Sequence, residues 1–234
     1  MAVAPYRRIR HLLLLMRLFW DFVKGMYVFH PVGPCVTVFG SARLNAQTPA
    51  YQAAHRVGRA LSGLGLTVMT GGGPGLMEAV TRGAREVGGR SAACGVRFSF
   101  EQAAGGHADW RVTVRYLFVR KVMLCRYSCA FVVLPGGFGT LDELFEVLTL
   151  VQTKKIAPVP IALVGVAYWQ PLMHVLDHMV AAGTVSPADL QQIRVTDDTD
   201  EVVEHIKTHV TEAFHLHRRT PPWAMPHASS VRDV

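Results

Sequence analysis

Residues 131–143, FVVLPGGFGTLDE, constrain the fold of this chain more than any other stretch. Four apolar residues (Phe131, Val132, Val133, Leu134) run into a turn containing Pro135, Gly136, Gly137 and Gly139. Helical spacing follows at once, in Leu141, Leu144, Phe145 and Leu148. The order is strand, glycine loop, helix. Glycines let the backbone turn sharply and let a ligand approach the amides, and a helix N-terminus offers unpaired N–H donors and partial positive charge. Thr140 is placed to cap the helix, with Glu143 three residues on as in a capping box. Alone, such a loop could be no more than a well-capped turn. The chain holds a second one, however: LTVMTGGGPGLM at 66–77 repeats the sequence of strand, glycine cluster and helix. A third strand, VTVFG at 36–40, ends in Gly40, Ser41 and Ala42. Three small-residue turns after three strands predict one phosphate-bearing ligand at the carboxyl edge of a parallel sheet.

The rest of the chain alternates in the same way. Helices are expected over 49–64, with Ala53, Val57, Ala60, Leu61 and Leu64 on one face, and over 76–87, 141–152, 169–181 and 200–214. A short helix is expected at 187–192. Strands are expected at 66–70, 91–96, 130–134, 159–165 and 193–196. Residues 111–118 begin extended and turn into a helix running past Arg126, while 97–110 read as irregular. Apolar strands alternating with helices give an α/β fold, a parallel sheet covered on both faces. With 234 residues, half of them hydrophobic, the chain can bury one sizeable core. The expected organisation is an amphipathic extension over 1–34, one α/β domain over 35–215 and a loose tail over 216–234.

Leu12–Phe22 is apolar but interrupted by Arg17 and Asp21, and Arg7, Arg8 and Arg10 precede it. Lys24, Tyr27 and His30 follow it in place of a small-residue cleavage site, so it reads as an amphipathic helix packing on the domain or a partner subunit rather than a signal peptide, with an interfacial membrane helix as the lesser alternative. No apolar run is long enough to span a bilayer. Cys35, Cys94, Cys125 and Cys129 form no CxxC pair, which favours reduced, buried thiols in a cytoplasmic protein. Cys125 and Cys129 share a helix face if that helix persists. The net charge of +7 would suit an anionic ligand, but much of the excess sits near the two ends. No basic run interleaved with aromatics marks a nucleic-acid surface, and no spacing marks a metal site.

PGGFGTLDE (135–143), the Arg120–Lys121 pair upstream and GGGPGLMEAV (71–80) together resemble the LOG family. Its members are cytokinin riboside 5'-monophosphate phosphoribohydrolases, long mislabelled lysine decarboxylases. The resemblance runs from about Cys35 to Ile206. It implies a Rossmann-like doubly wound sheet, a nucleoside monophosphate ligand, N-glycosidic hydrolysis without a cofactor, and a homodimer or larger assembly. Two positions depart from plant-type members, with Phe118 where they have His and Phe138 where they usually have Tyr. The N-terminal extension and FEQ at 100–102 are closer to a longer bacterial branch. AMP and its N6-substituted forms therefore both remain open as substrates. The family shares its fold with molybdenum-cofactor carriers, so a binding protein without chemistry is the alternative.

Cleaving a base from ribose 5'-phosphate needs a phosphate anchor, stabilisation of a cationic sugar, and a group to activate water. The anchor is expected in amides around Gly40, Gly72, Gly73, Pro135, Gly136, Gly137, Gly139 and Thr140, with hydroxyls from Ser41 and Thr140. Glu143, one turn into its helix, is either a cap partner or the carboxylate that holds ribose hydroxyls and takes the proton from water. If the resemblance holds, Arg120 orients Glu143 or polarises the base; otherwise Arg120 and Lys121 are a solvated helix end. Glu101 aligns roughly with a family acid that contacts substrate. Glu146 either lines the site or pairs with a cation, and Arg43 meets either ligand or water. Met77, Met123 and Leu124 are expected in the core, and His55, His174 and His178 away from the site. Two rival readings are weak on the residues. A single-stranded DNA module would need basic and aromatic loops, and NAD binding would need GxGxxG.

Overall fold

The computed structural model describes residues 5–97 and 108–216. Glu101 and the rest of 98–107, and the expected tail from 217 on, lie outside the described residues. Seven parallel strands form one sheet in the order β4-β3-β2-β1-β5-β6-β7. They are β1 (Cys35–Phe39), β2 (Thr67–Thr70), β3 (Ser91–Val96), β4 (Trp110–Val114), β5 (Ser128–Val133), β6 (Ile161–Val164) and β7 (Ile193–Thr196). The helices are α1 (Pro5–Phe29), α2 (Pro49–Gly63), α3 (Leu76–Glu86), α4 (Leu117–Arg126), α5 (Phe138–Gln152), α6 (Val166–Ala181) and α7 (Thr199–Leu216). A 3-10 turn spans Pro187–Leu190. This is the doubly wound α/β sheet that the alternation of the sequence predicts.

Strand side chains alternate between two apolar layers. Val36, Val38, Ala130, Val132 and Leu134 join the layer under α2, α3 and α7, with Val57, Leu61, Ala79 and Val80 from the first two helices and Val202 and Ile206 from the third. Phe39, Phe131 and Val133 point the other way, against Met123, Leu144 and Trp169 from α4, α5 and α6. Strand β1 pairs with β2 on one side and β5 on the other, Val38 opposite Val132 and Phe39 opposite Val133. Connections leave β1 and β5 in opposite directions, so a crevice opens beyond their carboxyl ends.

Several elements differ from expectation. The helix after β4 stops at Arg126, and Cys129 belongs to β5, so Cys125 and Cys129 share no helix face. The Cys129 thiol instead donates to the Cys35 carbonyl, 3.1 Å away on the neighbouring strand. On α2 the buried face is Tyr51, Ala54, Val57, Gly58 and Leu61, a shift from the expected stripe that leaves Ala53 and Ala60 half-buried. Helix α1 is tied to the body by Asp21. Its buried carboxylate accepts from the Arg115 backbone N–H at 2.7 Å and from Arg115 Nη1 at 2.6 Å. Among the described residues no helix is long and apolar enough to cross a membrane.

Candidate active site

The crevice holds a cavity of about 560 Å³, within the usual range for a small-molecule site. The loop after β1 contributes Gly40, Ser41, Ala42 and Arg43 to its lining. The motif loop and the first turns of α5 contribute Gly136, Gly137, Phe138, Gly139, Thr140, Leu141 and Glu143. Gly71, Met77, Arg120 and Tyr168 complete the wall, with Phe39 at the strand end.

Backbone hydrogen bonds lock the three loops to one another. Ser41 N–H donates to the Pro135 carbonyl at 3.0 Å, and Leu76 N–H, at the start of α3, donates to the Ser41 carbonyl at 3.0 Å. The helix after the motif starts earlier than its apolar spacing suggests, because Thr140 and Leu141 already donate to the Gly137 carbonyl. Gly137 is therefore the N-cap, and no side chain caps the helix. The capping box expected of Thr140 and Glu143 does not form, since Thr140 sits inside the first turn with its side chain packed over Gly136. The amides of Phe138 and Gly139 are first-turn donors without intrahelical acceptors, on the cavity wall.

Freed from capping, Glu143 points inward at 2% exposure. Its Oε1 accepts from Arg120 Nη2 at 3.1 Å, and Arg120 is itself mostly covered. Glu143 Oε2 and Arg120 Nε are buried without a hydrogen-bond partner. Burial pushes the Glu143 carboxyl above the usual carboxylate range. Arg120 and Lys121 pull it down without cancelling that effect, and the nearby Glu146 and Asp142 push it up. A buried carboxylate with one oxygen unpaired and its pKa raised, on the wall of a cleft, is a candidate for chemistry.

Lys121 does not line the cavity. Its Nζ pairs with Glu146 Oε2 at 2.6 Å and Asp142 Oδ1 at 2.9 Å, and these pairs keep it protonated against the cost of burial. Glu146 accordingly pairs with a cation and is absent from the cavity lining, as is Pro135, whose carbonyl holds Ser41. Gly72 and Gly73 also stand back from the cavity, and the cluster reaches it through Gly71. Gly72 has φ +72, and a Cβ there would press on Ala93, so backbone conformation is what requires glycine at that position. Met77, expected in the core, is only half-buried and faces the cavity, whereas Met123 and Leu124 are fully buried. Glu101 lies outside the described residues.

Tyr168 is the residue that sequence reasoning missed. It stands in the first turn of α6, and its hydroxyl donates to the Gly136 carbonyl at 2.8 Å, bracing the motif loop from the far side. Its only signal in the sequence is a position just after a strand end, which the shared architecture of the sheet makes meaningful only in retrospect. Cys94 and Cys125 lie near the Arg120–Glu143 pair, but burial pushes both to about 12, so they stand as thiols rather than nucleophiles. His55 pairs with Glu86 at 2.9 Å, away from the cavity. Among the described residues no group of acids, histidines and cysteines is set to hold a metal.

Comparisons with known proteins bear on this arrangement. The family model described as possible lysine decarboxylase matches residues 77–206. A cytokinin riboside 5'-monophosphate phosphoribohydrolase of Rhodococcoides fascians is 30% identical over 76% of this chain and 91% of that protein. A probable enzyme of the same name from Oryza sativa subsp. japonica is 36% identical over 59% of this chain and 57% of its own length. Among solved structures, the molybdenum cofactor carrier protein of Chlamydomonas reinhardtii superposes with a TM-score of 0.57, covering 76% of this chain and 99% of that one. At 20% identity, that likeness shows the fold alone. The match across more than half of the sequence, together with the near full-length alignment to the Rhodococcoides protein, shows that the chain belongs to the LOG family.

Proposed function

We propose that this protein is a nucleoside 5'-monophosphate phosphoribohydrolase, hydrolysing the N-glycosidic bond of AMP or an N6-substituted AMP to free base and ribose 5-phosphate. The observation that carries the reading is Glu143, a buried carboxylate with one oxygen on Arg120 and the other unpaired, on the wall of a cavity edged by helix-start amides. The 5'-phosphate sits at the amides of Phe138 and Gly139, with Ser41 and Thr140 as hydroxyl donors and Arg43 as a nearby cation. That grip places the ribose over Glu143. As the C–N bond breaks, the carboxylate offsets the positive charge on the sugar and takes a proton from the water that adds to the anomeric carbon. Arg120 holds the carboxylate in place; the departing base takes a proton from solvent, and Glu143 returns to solvent the proton it took from water, so that the hydroxyl ends on the sugar and one proton on the base. A carboxyl whose pKa is raised by burial is better matched to this role near neutral pH than an ordinary one.

Decarboxylase chemistry through a lysine Schiff base fits poorly. It needs a neutral amine, and Lys121 is held protonated by two carboxylates outside the cavity. A carrier that only binds a nucleotide or a phosphorylated pterin has no use for an unpaired buried carboxylate. Incubating the protein with AMP, GMP, CMP and isopentenyladenosine monophosphate and quantifying released base tests the reading. Base release from at least one adenine nucleotide is expected. Tight nucleotide binding without any release would move the protein to the carrier class.

A further inference from the structure

Helix α1 grips α4 at its start, middle and end. At the entry to α4, the buried Asp21 carboxylate accepts from both the backbone N–H and the guanidinium of Arg115, the residue before the N-cap. One turn further along α1, Gly25 lies so close that a Cβ there would reach Met123 Sδ at 2.8 Å. At the far end stands Tyr127, the C-cap of α4. Its ring meets Phe29 edge-on, 5.6 Å between centroids, and its hydroxyl donates to the Met26 carbonyl at 3.4 Å. No side chain of its own caps the start of α4, where the N-cap is Tyr116. Asp21 therefore supplies from another helix the anion that a helix start usually takes from its own cap. Arg120 follows one turn past that cap, its N–H donating to the Tyr116 carbonyl at 3.3 Å, and its guanidinium holds Glu143 Oε1.

We infer that Asp21 is a positioning residue for the reaction: by fixing the start of α4 it sets where Arg120 meets Glu143. The inference rests on the proposed hydrolytic role of that pair. Each link in the chain of contacts is directional. A carboxylate only accepts, and Arg115 presents two donors to it; an asparagine of the same size offers one acceptor and one donor, and so loses one of the two bonds. At 3% exposure of Asp21, water has little access to replace it. The Arg120 head depends on where α4 places its stem, because Nε is buried without a partner and Nη2 reaches Glu143 at 3.1 Å. On the other side Lys121 ties α4 to Asp142 and Glu146, so α4 is strung between α1 and the helix that carries Glu143. A shift of about an ångström in such a group can slow a reaction by up to about a hundredfold. Asp21 lies outside residues 77–206 that the family model matches, so this coupling belongs to the chain's extension.

Base release from an adenine nucleotide by the wild type, Asp21→Asn, Arg120→Ala and the double variant makes a cycle that tests it. Asp21→Asn is expected to lower kcat about tenfold with KM and inhibition by ribose 5-phosphate little changed, since the loops after β1 and β5 do not hang on α4. On the Arg120→Ala background the same substitution should lower the rate no further, because the group it positions is gone. Equal losses on both backgrounds would overturn the inference and leave Asp21 a structural tie, as would wild-type kcat in Asp21→Asn. If far-UV circular dichroism shows that Asp21→Asn does not fold, Asp21→Glu, with its carboxylate one methylene out of place, carries the same cycle. A second readout needs no substrate. Arg120 pulls the Glu143 carboxyl down, so a loosened pair should raise the pH midpoint at which the Glu143 carboxyl carbon titrates by NMR. Lys121, Asp142 and Glu146 act on that carboxyl in both proteins, and Cys94 and Cys125 stay thiols. An unmoved midpoint in Asp21→Asn would overturn the inference even where the wild type cleaves nucleotides. A raised midpoint in a protein whose wild type releases no base would keep the positioning role and sink the hydrolytic reading alone.

Discussion

Glu143 and Arg120 face each other across the cavity wall, and each side chain leaves one polar atom unpaired there. Two predictions belong to this pair. Glu143→Gln keeps the shape and an acceptor for Arg120 but removes the charge. Turnover should fall at least about a hundredfold, the scale of losing a general base, with nucleotide binding retained. The same substitution should not cost stability. Burial raises the native pKa of Glu143, so the folded state holds its proton to a higher pH than the unfolded chain does. The contribution of this group to stability therefore falls as pH rises from the ordinary carboxylate value through the raised one. Thermal melts should show Glu143→Gln equal to or above the wild type at neutral pH, with the difference vanishing in acid; a clear loss at neutral pH would mean that the ionised pair is structural. For Arg120, alanine should lower the rate by about a hundredfold or more. Lysine should recover only part of it, since an ammonium does not reproduce the guanidinium fork. Full activity in Arg120→Lys, measured by base release, would reduce Arg120 to a simple charge.

The motif loop and the start of α5 separate glycines needed for folding from glycines needed for binding. A Cβ on Gly136 would overlap the Thr140 side chain, whereas one on Gly137 would meet nothing within 4 Å. Gly136→Ala should therefore destabilise by about 1–3 kcal/mol, the range for overpacking. Gly137→Ala should stay within about 0.5 kcal/mol of the wild type in urea unfolding, as expected where nothing is displaced. Inhibition by ribose 5-phosphate should nevertheless weaken in Gly137→Ala, because the methyl group projects where the phosphate approaches the amides. Unchanged inhibition would move the phosphate elsewhere. At Gly72, with φ +72, valine should damage the fold itself, so that substitution cannot report on the ligand. The start of α5 also shows where the sequence misleads. Apolar spacing begins at Leu141 because only from there does the helix meet the core, while its first turn lines a cavity and carries no apolar signal. A helix start placed at Leu141 turned Thr140 and Glu143 into a cap that the real start at Phe138 does not permit.

Across the whole molecule, the sheet was legible because its central strands β1, β2, β5 and β6 are short, mostly apolar runs bounded by helical spacing, and β3 and β7 match their predicted limits to the residue. The convergence of the loops after β1 and β5 was legible for the same reason. Side chains that reach the cavity from distant elements were not. Tyr168 arrives from α6, and Met77 turns out of a helix that otherwise feeds the core. Neither carries a local pattern, because its role is set by strand order rather than by its neighbours in sequence. The segment of α1 reads from sequence as an amphipathic helix packing on the domain or a partner subunit, and the fold adds which of its residues the body buries. In the proposed reading the phosphate ties these levels together: sheet topology brings the loops together, the loops present amides, and those amides would grip the phosphate so that the ribose lies over Glu143. If binding energy from that remote group orients the sugar, its removal should lower turnover as well as affinity. The most direct measurement is base release from AMP and from adenosine, side by side, under identical conditions. The account predicts cleavage of AMP with adenosine a very poor substrate in both kcat and KM; cleavage of the two at similar rates would contradict it.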